Sequence, residues 1–99
     1  MGTVSDPEKL DTTIGPDGMQ KNYLVLSAEE RAKGYVRPVR LTYVHEKCGS
    51  ETTMGQALAE TYARQPDFYS GTFCVHCKNH YPVGAAGEFV WLDGSKVGT

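Results

Sequence analysis

The chain has 99 residues, which predicts a single domain, and its hydrophobic fraction of 39% with 11 glycines allows only a modest core. A domain of this size often needs a metal or disulfides for stability. Its formal net charge of −2 lacks the dense positive field that a strong nucleic-acid binder carries.

The cysteines and the apolar pattern predict the compartment. Three cysteines are an odd number, which argues against a closed disulfide framework and favours metal ligation in a reducing environment. No apolar run is long enough to span a membrane, and the first residues do not follow a signal-peptide pattern. We therefore expect a soluble cytoplasmic protein without a membrane partner.

The first part of the chain divides into an arm and the start of a domain. Residues 1–22 are rich in Thr, Asp, Gly and Pro and have no sustained periodicity, so we expect a flexible N-terminal arm, and its ordering on a partner stays open. Residues 23–99 are expected to form one α+β domain. Within it, Ser27 and Glu30 match a capping box and predict a short helix from Ala28 to Lys33.

The middle of the chain predicts a strand and then a helix. Residues 35–45 alternate well enough for a strand whose first part is at an edge or bulged, because Pro38 removes a backbone donor. Residues 50–53 are expected to cap the next helix. That helix is amphipathic and ends near Arg64, and its buried stripe recurs at helical spacing. The stripe consists of Met54, Ala57, Leu58, Thr61 and Tyr62.

The last part predicts a hairpin. Residues 88–92 carry the best strand pattern in the chain, with Phe89 and Trp91 on one face. Asp93 and Gly94 predict a two-residue turn, after which residues 95–97 return as a short partner strand.

Two short motifs carry the candidate metal chemistry. His45 and Cys48 form an H-x2-C motif, and Cys74 and Cys77 form a C-x2-C motif. One imidazole and three thiolates make a full tetrahedral set for one structural zinc ion. The sequence therefore predicts two zinc knuckles on short antiparallel strands with one helix between them, in a small domain held together by zinc.

Other interpretations of the motifs stay open. His76 or His80 is an alternative fourth ligand, although His45 is favoured because its spacing to Cys48 mirrors the second pair. The cysteines could be ordinary buried thiols, and His76 inside the C-x2-C motif could activate a redox thiol. A catalytic zinc needs an open coordination position, and the sequence shows no carboxylate poised near the motifs as a general base.

A resemblance follows from these residues. The two knuckles, with Gly49 after Cys48, resemble those of zinc ribbons and rubredoxin-like domains. The sequences of residues 26–40, 53–57 and 89–93 are similar to those of small uncharacterised zinc-ribbon-like proteins of bacteriophages and prophages. The resemblance covers about residues 24–99. The resemblance implies a phage context in the host-cell cytoplasm and supplies no established activity.

The resulting hypothesis is a non-enzymatic phage-type zinc module that binds and modulates a host partner, either a protein or a defence component or its nucleotide signal. A nucleic-acid-binding zinc ribbon is the alternative, and a thiol-redox or zinc enzyme is less favoured. Self-association stays open. Tyr81 and Trp91 lie near the knuckles, and Trp91 is expected in the core. The candidate contact residues for a protein or nucleic acid are Arg37, Arg40, Tyr43, Lys47, His76 and Lys78.

Overall fold

A computed structural model of the chain describes residues 2–99, which form seven short strands, two α-helices and one turn of 3₁₀ helix. In chain order these are β1 (Gly2–Val4), the 3₁₀ turn (Pro7–Lys9), β2 (Asn22–Leu24), α1 (Ala28–Arg31), β3 (Thr42–His45), β4 (Glu51–Thr53), α2 (Gln56–Arg64), β5 (Gly71–Cys74), β6 (Asn79–Pro82) and β7 (Phe89–Trp91). The α+β class predicted from the sequence is confirmed.

The strands pair into three small sheets. β1 pairs in parallel with β2, and β5 pairs antiparallel with β6. The central sheet is antiparallel in the order β4-β3-β7, so that Tyr43 lies opposite Thr52 on one side and Trp91 on the other. This pairing brings the far C-terminal strand beside the strand that ends at His45.

Helix α2 supplies one wall of the core, as its periodicity predicts. Leu58, Thr61 and Tyr62 are buried, and Met54 is buried just before the helix begins. The ring of Tyr62 meets Trp91 edge-on with 5.6 Å between the ring centroids. Each large apolar side chain buried here contributes roughly 1.5–3 kcal/mol of transfer free energy, and the strands add Tyr43, Phe89 and Trp91 to the same core.

Helix α1 begins where the capping box predicts. Ser27 Oγ accepts a hydrogen bond from the amide of Glu30 at 3.2 Å. The Glu30 carboxylate does not complete the box but pairs with Lys33 at 3.2 Å. The helix is shorter than predicted and ends at Arg31, with Gly34 in the left-handed region at φ +113°.

Three predicted elements differ from the structure. The strand expected over residues 35–45 forms only at Thr42–His45, because the amides of Val36 and Arg37 both donate to the carbonyl of Ala63 and cover the end of α2 instead. Residues 51–53, expected as helix caps, form β4, and Gly55 is the N-cap.

The third difference is the C-terminal turn. It has three residues rather than two, because the amide of Trp91 donates to Ser95 O and the amide of Gly94 donates to Trp91 O. Gly94 closes the turn at φ +88°.

The N-terminal segment contacts the rest of the protein at two places. The amide of Val25 donates to Val4 O at 2.8 Å, which extends the β1–β2 pairing. Residues 14–20 form a loop whose Gly18 lies against the carbonyl of Lys78. The mobility of residues 1–22 and the domain boundary at residue 23 stay predictions, and Met1 lies outside the described residues.

Neither helix within residues 2–99 has the length and apolar character that crossing a membrane requires.

Candidate metal centre

Two tight turns carry the four candidate ligands. The first turn joins β3 to β4, and its backbone closes on His45. The amides of Cys48 and Gly49 both donate to the His45 carbonyl, at 3.2 and 2.7 Å. Gly49 has φ +73°, a conformation that glycine adopts without a Cβ penalty. The sequence places a glycine at the position where the chain must reverse.

The second turn joins β5 to β6 and closes in the same way on Cys74. The amide of Lys78 donates to the Cys74 carbonyl at 2.8 Å, and the amide of Cys77 points at Cys74 Sγ at 3.5 Å. Lys78 has φ +56° and corresponds to Gly49 of the first turn. A non-glycine residue with positive φ costs conformational energy, and it marks a position that the surrounding structure holds.

The two turns bring their donor atoms together. One donor atom from each of His45, Cys48, Cys74 and Cys77 lies within 4.8 Å of all the others. The closest approaches are 3.2 Å from His45 Nδ1 to Cys48 Sγ, 3.5 Å between the sulfurs of Cys48 and Cys74, and 3.6 Å from Cys77 Sγ to His45 Nδ1. A tetrahedral zinc site places neighbouring donor atoms about 3.3–3.8 Å apart, because its bonds are about 2.0–2.3 Å long. The spacing therefore fits a metal ion.

Ring packing and hydrogen bonds fix the position of the His45 imidazole. Its exposed fraction is 2%, and its ring lies between Tyr81 and Phe89 with centroid distances of 4.6 and 4.8 Å. Nε2 lies 2.9 Å from Glu88 Oε1, while Nδ1 faces the sulfurs. A carboxylate behind a histidine ligand fixes its tautomer and raises its basicity as a ligand.

The charges around the site affect two candidate ligands differently, because an imidazole binds a metal in its neutral form and a thiol in its ionised form. Burial lowers the pKa of His45, but the hydrogen bonds and charges of Glu88 and Cys48 outweigh it and raise the pKa above the usual value. Burial likewise opposes ionisation of Cys48, yet hydrogen bonds from Ser50, and then those with Cys74 and His45, lower its pKa to about 6. A thiolate is the form that binds a metal, so Cys48 is ready to ligate near neutral pH.

The other two histidines lie outside this group. His76 is exposed on the second turn. His80 Nε2 lies 2.8 Å from the hydroxyl of Tyr23, and burial lowers the His80 pKa. The structure thus brings together His45 and the three cysteines, and it engages His80 elsewhere.

Four of the six candidate contact residues are exposed. Lys47, His76 and Lys78 lie on or beside the two turns. Arg37 lies farther away, where its Nε donates to the carbonyl of Thr99 at 3.1 Å. Lys47 Nζ is 3.7 Å from Glu88 Oε1 and places a positive charge at the rim of the metal centre.

The other two candidates are structural residues. Tyr43 is 2% exposed, and its hydroxyl donates to the Phe73 carbonyl, so its ring cannot stack on a base. Arg40 lies over the Trp91 ring at 4.6 Å and pairs with Asp93 at 3.1 Å. Trp91 is in the core, as expected. Burial and pairing remove Tyr43 and Arg40 from the contact surface.

Two functional neighbours escaped sequence analysis. Glu88 was not identified from the sequence, and its carboxylate contacts His45 on the ring nitrogen that faces away from the sulfurs. Tyr81 stacks on the same ring rather than standing free. The only sequence signal for Glu88 was its place at the start of the strand that pairs with His45.

Comparisons with protein-family models, with curated proteins and with solved structures find no match to this chain. What the structure defines is a class: a small α+β protein with a candidate metal centre of one histidine and three cysteines.

Proposed function

We propose that this chain is a non-enzymatic zinc-binding module in which the two turns act as knuckles that hold one structural zinc ion. The observation that carries the proposal is the convergence of four donor atoms, one from each of His45, Cys48, Cys74 and Cys77, within 4.8 Å of one another.

The donor chemistry supports zinc. Thiolates and imidazole suit zinc, whereas magnesium and calcium prefer oxygen ligands. Four protein ligands fill a tetrahedral site and leave no open position for a substrate, which is the mark of a structural ion.

The surroundings of the thiols disfavour redox chemistry. Cys74 is 0% exposed, and burial, with the hydrogen bond to Cys74, raises the pKa of Cys77. Reactive thiols are accessible and have lowered pKa values. The C-x2-C pair therefore lacks the properties of a redox site.

The role of the module is to bind a host partner through the surface that the zinc holds rigid. Together with the resemblance to phage proteins, the exposed Lys47, His76 and Lys78 beside the turns support a partner with an acidic surface. A host protein is favoured over nucleic acid, because Arg40 and Tyr43 are occupied within the fold. Two lysines and one imidazole make a weak nucleic-acid site.

Metal analysis tests the zinc site. The purified chain is expected to hold one zinc ion and to lose its folded circular dichroism spectrum when a chelator removes it. His45→Ala should abolish stable zinc binding, whereas His76→Ala, a matched change in the other motif, should retain it. A chain that stays folded and zinc-free at neutral pH would overturn the proposal.

Capture from a host lysate tests the partner. The wild type and Lys33→Glu are expected to retain the same host protein, and the double variant Lys47→Glu with Lys78→Glu is expected to lose it. Lys33 serves as the control because it is exposed just after α1 and pairs locally with Glu30. Failure of the zinc-loaded wild type to retain any host protein or nucleotide would refute this role, and salt-dependent gel shifts would instead favour nucleic acid.

A further inference from the structure

A cavity of about 180 Å³ lies between α2, the central sheet and the β5–β6 hairpin. Its floor is formed by Leu58 and Tyr62 of α2 and Tyr43 of β3, all of which are buried. Protein interiors rarely leave voids much larger than a water molecule. An apolar void of about 150 Å³ is enough to hold benzene in another protein, so this cavity has room for a small organic molecule.

The lining excludes charged ligands. Every described residue that lines the cavity is uncharged at neutral pH. Its aromatic lining residues are Tyr23, Tyr43, Tyr62, Tyr69 and Phe73. A phosphate or carboxylate would be removed from water there without a counter-charge, which is costly. Aromatic rings pack well edge-on against such walls, and the sulfur of Met54 adds a favourable contact with a ring.

The hydroxyl of Thr72 in the lining favours a ligand that carries a hydrogen-bond donor. Thr72 Oγ1 donates to the Tyr43 hydroxyl at 3.2 Å, and that hydroxyl donates to the Phe73 carbonyl. Since the Thr72 proton is already committed, its oxygen offers acceptor capacity only. An N–H or O–H on the ligand would match it.

The entrance is formed by two segments outside the core. Val75 is 52% exposed and lies inside the second turn, between Cys74 and Cys77, where its amide donates to Thr52 Oγ1 at 3.2 Å. Met19, from the N-terminal loop, lines the cavity as well. The metal-binding turn and the N-terminal loop together border the opening.

We propose that this cavity binds a neutral aromatic molecule of one or two rings that carries an N–H or O–H donor, the class represented by indole and phenol. The ring packs among Tyr62, Phe73 and Met54, and the donor binds Thr72. The cavity lining contains none of the four candidate metal ligands and none of Lys47, His76 and Lys78, so the inference does not depend on the function proposed above.

Titration of indole into the zinc-loaded full chain tests the proposal. We expect saturable NMR shifts of the Leu58 and Met54 methyl groups with ring-to-methyl NOEs, and a rise in Tm of roughly 5 °C at about tenfold excess over Kd. Indene has the same shape without the N–H, and we expect it to bind roughly three- to tenfold more weakly.

Three variants separate this cavity from non-specific binding. Val75→Trp blocks the entrance at a half-exposed position, Leu58→Phe fills the floor, and both should weaken indole binding at least about tenfold, on the scale of a lost buried contact. Leu92→Trp, at a position 66% exposed and outside the cavity lining, should leave it unchanged. Zinc content and circular dichroism establish that each variant is loaded and folded. Absence of saturable binding by the wild type, or an affinity in both cavity variants that equals that of the wild type, would overturn the proposal.

Discussion

Glu88 Oε1 lies 2.9 Å from His45 Nε2, on the side of the imidazole opposite the sulfurs. The hydrogen bond to His45 is the largest cause that lowers the pKa of Glu88, and the charge of Lys47 adds to it. The carboxylate is therefore ionised at neutral pH, and it orients His45 with Nδ1 toward Cys48 Sγ at 3.2 Å. The ligand geometry of the first turn thus depends on a residue of a different element.

Removing the charge of Glu88 should weaken the metal site without destroying it. Glu88→Gln keeps the size of the side chain but makes it a poorer acceptor for the His45 N–H, so we expect zinc affinity to fall roughly 10- to 100-fold. Competition with a zinc chelator of known affinity measures the change.

The control for this substitution is Glu46→Gln. Glu46 lies in the first turn, and its carboxylate pairs with Lys96 rather than with His45. Its zinc affinity should match the wild type, and equal affinities for both variants would show that Glu88 does not support the ligand.

The sequence predicts the ligands and helix α2 because both signals are local. A two-residue gap within each motif and the periodic stripe at Leu58, Thr61 and Tyr62 are complete within a few residues. Glu88 could not be found this way, since it acts on a residue 43 positions earlier through the pairing of β3 with β7.

The contact surface was only partly predictable for the same reason. Arg40 and Tyr43 are residue types that often form binding surfaces. Only the tertiary structure shows that Arg40 lies over the Trp91 ring and pairs with Asp93. It also shows that the Tyr43 hydroxyl donates to the Phe73 carbonyl. The strand predicted from the local pattern does not form over residues 35–41, because the amides of Val36 and Arg37 donate to the Ala63 carbonyl at the end of α2.

Arg40 is expected to stabilise the fold rather than to bind a partner. Arg40→Ala removes the guanidinium from the face of Trp91, a contact that contributes on the order of 1 kcal/mol. Urea unfolding at a fixed free zinc concentration should show that loss, and partner capture should be unchanged.

Arg37→Ala is the matched substitution. Arg37 is exposed, and its side-chain hydrogen bonds within residues 2–99 go to the backbone carbonyls of Val36 and Thr99. Its free energy of unfolding should stay within about 0.5 kcal/mol of the wild type. A larger loss for Arg37→Ala than for Arg40→Ala would contradict these assignments.

The raised pKa of Tyr43 predicts that the stability of the fold falls at alkaline pH. Burial, only partly offset by the hydrogen bond with Thr72, raises the pKa of Tyr43 from 10.0 to about 12. A raised folded-state pKa stabilises the fold fully below the unfolded value, and this stabilisation is lost as pH rises from about 10 to about 12. Absorbance of tyrosinate near 295 nm should therefore rise first for the exposed tyrosines and later for Tyr43.

Tyr43→Phe identifies that later step. The variant lacks the ionising hydroxyl and should lose one tyrosine from the absorbance change near pH 12, while the earlier rise is kept. If the late amplitude is the same in both proteins, Tyr43 does not carry the raised pKa.

Gly18 tests whether the N-terminal loop is docked on the second turn. A Cβ at Gly18 would lie 2.0 Å from the carbonyl oxygen of Lys78, and φ at Gly18 is +86°. Gly94 has almost the same φ, +88°, but a Cβ there meets nothing within 4 Å. Gly94→Ala therefore carries only the conformational cost of a left-handed residue, about 1–2 kcal/mol, whereas Gly18→Ala adds a clash with backbone.

We expect Gly18→Ala to release the loop from the Lys78 turn. Amide hydrogen exchange should then accelerate at Gly15 and Gly18, whose amides donate to Met19 O and Gly15 O, and Gly94→Ala should leave those rates unchanged. Since Met19 lines the cavity entrance, indole binding should also weaken in Gly18→Ala. Unchanged exchange in both variants would mean that residues 14–20 do not pack against the β5–β6 turn in solution. The flexible arm expected from the sequence would then be the better description.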